Sequence, residues 1–438
     1  MRIVNFTMSK ELQKKSHNLI PAGAHTYSKA DDQFPELSPG FIVRGKGAYV
    51  WDLDGNQYID WGMGLRSVIL GHAYEPVLQA VREQLELGSN FTRPSPVEVE
   101  LAELLVDTIP CAEMVKYAKN GSDVTAAAVR LARAYTGRKY IAICREHPFF
   151  SFYDWFIGST PVDAGIPEDI KQLTVKFGYN DIASLEELFQ SYPGQIAAVI
   201  LEPVQADPPK DNFLQRVRQL CDQSGTVMIL DEMITGFRMD IQGAQRMFEV
   251  KPDLATFGKA IANGFSLAVL TGKKEIMELG GIYHDKPKVF LLSATNGAET
   301  HSLAAGVATI NELKRHNVPL HIAGIGQKLI DGINAIAGSM SLGQYIRAYG
   351  YPCSPVLEFK DQEGNVSLPF RTLFLQETIT RGVMMPYVAI SFAHGESELK
   401  NTLKAVEDAF KVYKNALDDG LDKHLKGRPV KPVFRKYN

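Results

Sequence analysis

Between residues 114 and 272 the chain repeats one arrangement. A short apolar run is followed by polar residues and then by a stretch of helical spacing. The runs are "MVKYA", "YIAIC", "AAVIL", "TVMIL", "DLATF" and "SLAVL", and the helical stretches include "SDVTAAAVRLARAYTG" and "FLQRVRQLCDQSG". Short runs without polar alternation suit strands buried on both faces, and helices between consecutive strands are what covers them. The pattern predicts an α/β fold with a mostly parallel central sheet. Ser122 and Asp123 read as the opening of the first of those helices. Ahead of this region, "GAYVWDLDGNQYIDW" reads as a hairpin turning at Asp54-Gly55-Asn56. "EPVLQAVREQLELG" and "PVEVELAELLVDTI" have helical spacing. From about residue 315 the pattern changes, and helical segments at 320–337 and 396–417 bracket shorter strand-like pieces. The expected division is an N-terminal segment (1–70), a large domain (71–314) and a C-terminal α+β domain (315–438). The first and last together form the smaller domain.

Apolar residues make up 45% of the 438, enough for a sizeable core in two or three domains. The 47 Lys and Arg against 50 Asp and Glu leave a net charge of -3, which argues for neither nucleic acid nor an anionic membrane as partner. A basic tail, Lys423 to Asn438, carries six Lys or Arg and no acid, and reads as a solvated terminus. Cys111, Cys144, Cys221 and Cys353 lie far apart with no CxxC spacing, which fits reduced thiols and a cytoplasmic protein. The N-terminus has no apolar signal core, and no apolar run reaches the ~18 residues of a membrane span. The ten histidines show no HxxxH or HxH spacing, so no metal site is expected.

Polar residues gather just beyond four of the strand-like runs. They are Lys119-Asn120-Gly121-Ser122-Asp123, Glu202-Pro203-Val204-Gln205, Asp231-Glu232 and Gly258-Lys259. Ligand crevices of open α/β sheets lie at those carboxyl ends. Taken singly, each has a structural explanation: an aspartate after a strand as a turn residue, Asn-Gly-Ser as a cap, a lysine beside glycine as a surface group. Together they offer a helix start for a phosphate, a carboxylate for a protonated pyridine nitrogen, and an amine for a Schiff base. Pyridoxal 5'-phosphate asks for these three groups. Small residues around Lys259 would let the backbone approach a flat ring.

The stretch "ILDEMITGFR", with Lys259 in "PDLATFGKAIANG" 28 residues after Asp231, resembles the class III, fold-type I pyridoxal-phosphate aminotransferases. It is similar in particular to glutamate-1-semialdehyde 2,1-aminomutase and its aminotransferase relatives. "ILGHAYEPVLQAV", "NGSDVTAAAVRLARAYTGR", "GIPEDI", "ILEPVQ" and "SLAAGVATINEL" extend the resemblance along most of the chain. The resemblance implies that Lys259 carries the coenzyme as a Schiff base and moves the substrate proton. Asp231 pairs with the ring nitrogen, and Gly121 and Ser122 bind the phosphate. Phe149 stacks on the ring, Val204 packs on it, Gln205 approaches its hydroxyl, and Glu202 belongs to the same coenzyme site. Thr295 reaches the phosphate of a neighbouring subunit, which implies a homodimer. The coenzyme passes through its pyridoxamine 5'-phosphate form during the cycle.

The departures concern the substrate. Lys29 in "HTYSK" stands where the aminomutase has the arginine of "NSPVR" that holds a carboxylate, and lysine lacks the guanidinium fork. A Tyr-His-Gly motif becomes "PFFSFYDW", and "GVMMPYVAISFAHG" lacks the glutamate of the aminomutase's "FEA" segment. Arg66 in "MGLRSVILGH" adds a cation near the expected substrate channel. These differences lead to an aminotransferase that moves an amino group from an amino acid donor to a ketone or aldehyde of a specialised metabolite or sugar. The alternative is an aminomutase acting within one molecule, and a third reading is a coenzyme-binding protein without turnover. The intact Lys259–Asp231 pair argues against the third.

Overall fold

The computed structural model describes Ile3 and residues 5–437. Met1, Arg2, Val4 and Asn438, which belong to the N-terminal segment and the basic tail read above, lie outside the described residues. The chain divides into two units, one holding the residues up to Tyr74 together with Leu320–Arg435, the other holding Glu75–Pro319 together with the residues from Lys436 onward.

In the first unit, β1 (Ile42–Lys46), β2 (Tyr49–Asp52) and β3 (Gln57–Asp60) form an antiparallel meander. The predicted hairpin is β2–β3. Its turn is held by Asp52, whose carboxylate accepts from the Asn56 N–H at 2.8 Å and the Tyr58 hydroxyl at 2.7 Å.

The second unit is built on β4 (Met114–Ala118), β5 (Tyr140–Cys144), β6 (Thr174–Phe177), β7 (Ile196–Leu201), β8 (Val227–Asp231), β9 (Leu254–Phe257) and β10 (Ala268–Gly272). They form one sheet in the order β4-β10-β9-β8-β7-β5-β6. All residues of β7 and β8 are buried, and their alternate side chains enter different cores. Ile141, Ile143, Ile200 and Ile229 pack with the helix Gly121–Thr136, while Ala142, Val199, Met228 and Leu230 pack with the helix Phe213–Ser224. A sheet with a core on each face needs apolar residues at successive positions, which is why these strands read as unbroken runs.

The sheet is mostly parallel, as expected, and one expected helix start needs correction. The exception to parallel pairing is β10, the "SLAVL" run, which is antiparallel to both its neighbours. The connection from β9 spans only residues 258–267, too short for the dozen or more residues of a parallel crossover. The helix expected to open on Ser122 and Asp123 begins at Gly121, with Asn120 as its cap, accepting from the Asp123 N–H at 3.2 Å.

In the C-terminal part of the first unit, β11 (Ile346–Tyr349) pairs with β12 (Val356–Phe359), and β13 (Val383–Met384) adds in parallel to β3. The two long helices are Val318–Ser339 and Glu396–Asp419. Among the described residues no helix is long and apolar enough to cross a membrane.

Candidate active site

Strands β4, β7, β8 and β9 all run the same way: β7, β8 and β9 are mutually parallel, and β10 reverses direction twice over between β9 and β4. Their carboxyl ends therefore lie along one edge of the sheet, and the four polar groups lie on that edge.

Asp231 ends β8, in register with Thr256 of β9. Its side chain is almost wholly enclosed, and its Oδ1 accepts from the Met233 N–H at 3.0 Å and from the Thr256 hydroxyl at 3.2 Å. Both donors take Oδ1, and Oδ2 receives neither. Burial pushes the carboxyl up to about 6, against the opposing pull of the Lys259 charge and the two hydrogen bonds. A buried carboxylate of this kind favours a cationic N–H partner.

Lys259 follows β9 and starts the short 3₁₀ turn Lys259–Ala262. Its φ is +43°, a left-handed conformation that costs a residue with a side chain and that tertiary packing must hold. Gly258 before it has extended backbone. A Cβ there would meet the Met233 sulfur at 2.6 Å, and one on Gly121 would meet the same sulfur at 2.8 Å. The small residues beside the lysine thus answer to a close backbone approach in which Met233 fills the space between two strand ends.

At the helix start, the first N–H groups have no partner within the helix and carry its positive dipole end. The buried Ser122 hydroxyl accepts from the Phe152 N–H at 3.1 Å, which leaves its own proton to donate. That bond ties the aromatic segment after β5 to the helix start. Within the segment, Phe149 is 45% exposed, its ring edge-on to Phe156 at 5.8 Å.

Beyond β7, Glu202 and Val204 are buried, and Gln205 donates to Glu202 Oε1 at 2.9 Å. The Glu202 N–H donates to His147 Nδ1 at 3.0 Å, so the remaining ring proton of the neutral imidazole sits on Nε2. Burial lowers His147 to about 4 and keeps it neutral. Thr295 is exposed in a turn, its carbonyl accepting from Asn90 Nδ2 at 3.1 Å.

Lys29 and Arg66 belong to the other unit. Lys29 is exposed at the end of a 3₁₀ turn. Arg66 closes a run of four left-handed residues from Met63, donates to Ser354 Oγ at 3.1 Å, and lies over the Tyr387 ring at 4.7 Å.

The structure brings Asp231, Lys259, Gly121, Ser122, Glu202, Val204 and Gln205 to one sheet edge. It also shows three residues the sequence reading passed over: Thr256, His147 and Met233. Thr256 lies inside the quoted "DLATF" run, but its bond to Asp231 depends on strand register, which the residue type does not signal. His147 and Met233 act through contacts with distant residues. The amine, the buried carboxylate and the helix start fit pyridoxal phosphate.

Comparisons with known proteins identify the family. Residues 31–389 match the family model for class-III aminotransferases. The chain is 32% identical over 437 residues to a glutamate-1-semialdehyde 2,1-aminomutase of Sulfurihydrogenibium azorense, covering 93% of this chain and all of the relative. It is 32% identical over 434 residues to the Bacillus subtilis enzyme of that name, covering 93% and 98%. Among solved structures, the FumI protein of Sphingopyxis sp. MTA144, in its PLP internal aldimine form, superposes with a TM-score of 0.87 at 26% identity, covering 94% of this chain and 98% of that one. Fold, site chemistry and sequence similarity along the chain lead to one conclusion: this protein belongs to the class III aminotransferases, in the fold-type I architecture.

Proposed function

We propose that this protein transfers an amino group by the glutamate-1-semialdehyde 2,1-aminomutase type of reaction, within one substrate molecule, using pyridoxal phosphate. The observation that carries the chemistry is the buried Asp231 carboxylate beside Lys259 at adjacent strand ends. The aminomutase reading is supported by the full-length similarity to enzymes of that name. When bound, pyridoxal phosphate supplies an electron sink for charge left on the substrate carbon. Lys259 Nζ holds the coenzyme and carries the proton between carbons. Asp231 keeps the ring nitrogen protonated, and Gly121 and Ser122 take the phosphate.

A second reading, amino transfer between an amino acid donor and a separate ketone or aldehyde, is favoured by one observation. The residue in place of the carboxylate-binding arginine is Lys29, an exposed point charge without a bidentate fork. One assay separates the two. Glutamate-1-semialdehyde supplied with no donor should yield 5-aminolevulinate, with kcat/KM of ~10⁴ M⁻¹s⁻¹ or more. Lys259→Ala should abolish that yield. Conversion that needs an added amino acid and releases a 2-oxo acid would overturn the aminomutase reading in favour of the second.

The homodimer belongs to the same proposal. Thr295 lies in a stretch flanked by exposed large apolar side chains: Tyr283 at 87% and Phe290 at 71%, with Leu87 at 73% on the segment that bonds Thr295 through Asn90. Such a surface is better covered than wet.

A further inference from the structure

Lys119 sits between β4 and the Asn120-Gly121-Ser122 turn. Glu299 immediately precedes the helix Thr300–His316 and follows the turn that carries Thr295. The two are far apart in sequence and joined in space. Lys119 Nζ donates to Glu299 Oε2 at 2.7 Å and to Ser302 Oγ at 3.1 Å. Asn296 Nδ2 donates to the other carboxylate oxygen, Oε1, at 3.1 Å. The Lys119 carbonyl accepts from Ser266 Oγ at 2.7 Å, just ahead of β10. Both charged side chains are about three-quarters buried, at 24% and 23% exposure. The Lys119 bond, set against the cost of partial burial, holds the Glu299 carboxyl below its ordinary range.

Resting on the coenzyme reading above, we propose that Lys119 and Glu299 form a positioning pair for the coenzyme phosphate. The pair locks the 119–122 turn to the 295–299 turn, so that the N–H groups at the helix start keep their convergence. Residues 291–299 form no helix or strand of their own, so their place depends on such cross-links. A charge-assisted bond shielded from solvent is the strong kind.

A direct electrostatic role would have the opposite sign at Glu299. An anion near a phosphate site weakens binding, so its removal would tighten it. A positioning role predicts that its removal loosens it.

The test measures equilibrium binding of pyridoxal phosphate, and of pyridoxal, which has no phosphate, to coenzyme-stripped protein. Glu299→Met and Lys119→Met should each weaken pyridoxal phosphate about tenfold and leave pyridoxal within about twofold. The double variant should bind no more weakly than either single, and Lys119→Arg should restore binding. Unchanged or tighter pyridoxal phosphate binding by Glu299→Met would overturn the proposal, as would an equal loss for pyridoxal. Should Glu299→Met not fold, equal binding by Lys119→Met and Lys119→Arg overturns it. Wild-type protein that takes up neither compound removes the coenzyme reading and the proposal with it, an outcome distinct from these.

Discussion

Burial makes ionisation of Asp231 costly despite its two hydrogen bonds and the Lys259 charge. Its carboxyl rises from an ordinary 3.8 to about 6, with burial the largest cause. The folded protein therefore holds this proton more tightly than the unfolded chain does. The stability it contributes is fully present below about pH 4 and is lost as pH rises through 6. At pH 7.5 the coenzyme-free protein bears an ionised, buried carboxylate at a cost on the order of 3 kcal/mol. Asn cannot ionise and keeps an acceptor for Met233 and Thr256. Coenzyme-free Asp231→Asn should thus melt above wild type at pH 7.5, with the gap closing toward pH 4, while its turnover falls. Thermal melts across that range check it, and a gap independent of pH would contradict the assignment. The placement of Lys259 and Asp231 at adjacent strand ends was legible in the sequence, because it follows from residue type and place in a motif. The hydrogen bond from Thr256 was not, because it depends on the register of β8 against β9.

Glycines in regular elements separate packing from propensity. Gly272 of β10 pairs with Leu254 of β9, and a Cβ on it would lie 2.3 Å from the Asp253 carbonyl oxygen and 2.9 Å from the Leu254 Cα. Both obstacles are backbone and cannot rotate away. Gly272→Ala should cost about 3 kcal/mol or more, a fall of about 10 °C in a unit of this size. Gly324 lies exposed in the helix Val318–Ser339 with nothing within 4 Å of a Cβ. Gly324→Ala should raise stability by about 0.5–1 kcal/mol, because the helix interior rewards alanine. Calorimetry of the two variants should show shifts of opposite sign. Strand and helix positions were readable from apolar spacing. The direction of β10 was hidden, since an antiparallel strand between buried neighbours is as apolar as a parallel one.

For the whole molecule, the open question is what covers Tyr283, Phe290 and Leu87. A second copy of the chain is the occupant consistent with the expected role of Thr295. Sedimentation of the coenzyme-loaded protein should give a dimer. Thr295→Ala should weaken coenzyme retention while leaving the lysine-bound absorption of what remains. A fully active monomer would remove the shared site. The sequence already bore on this through Thr295 alone, whereas the exposed apolar side chains emerge only when the fold shows which ones the cores leave out.

The sequence by itself determined the α/β class, the hairpin, the strands that end in polar groups, and the lysine and carboxylate at the centre of the site. Those properties reside in local spacing and in the chemistry of single residue types, which folding does not alter. Tertiary structure alone decided the reversal of β10, the Met233 sulfur wedged against Gly121 and Gly258, the neutral His147 under Glu202, and the Lys119–Glu299 bridge. Each depends on which distant segments meet and on how far water is excluded there. Burial, register and charge pairing are properties of the assembled neighbourhood, and no window of sequence contains both sides of it.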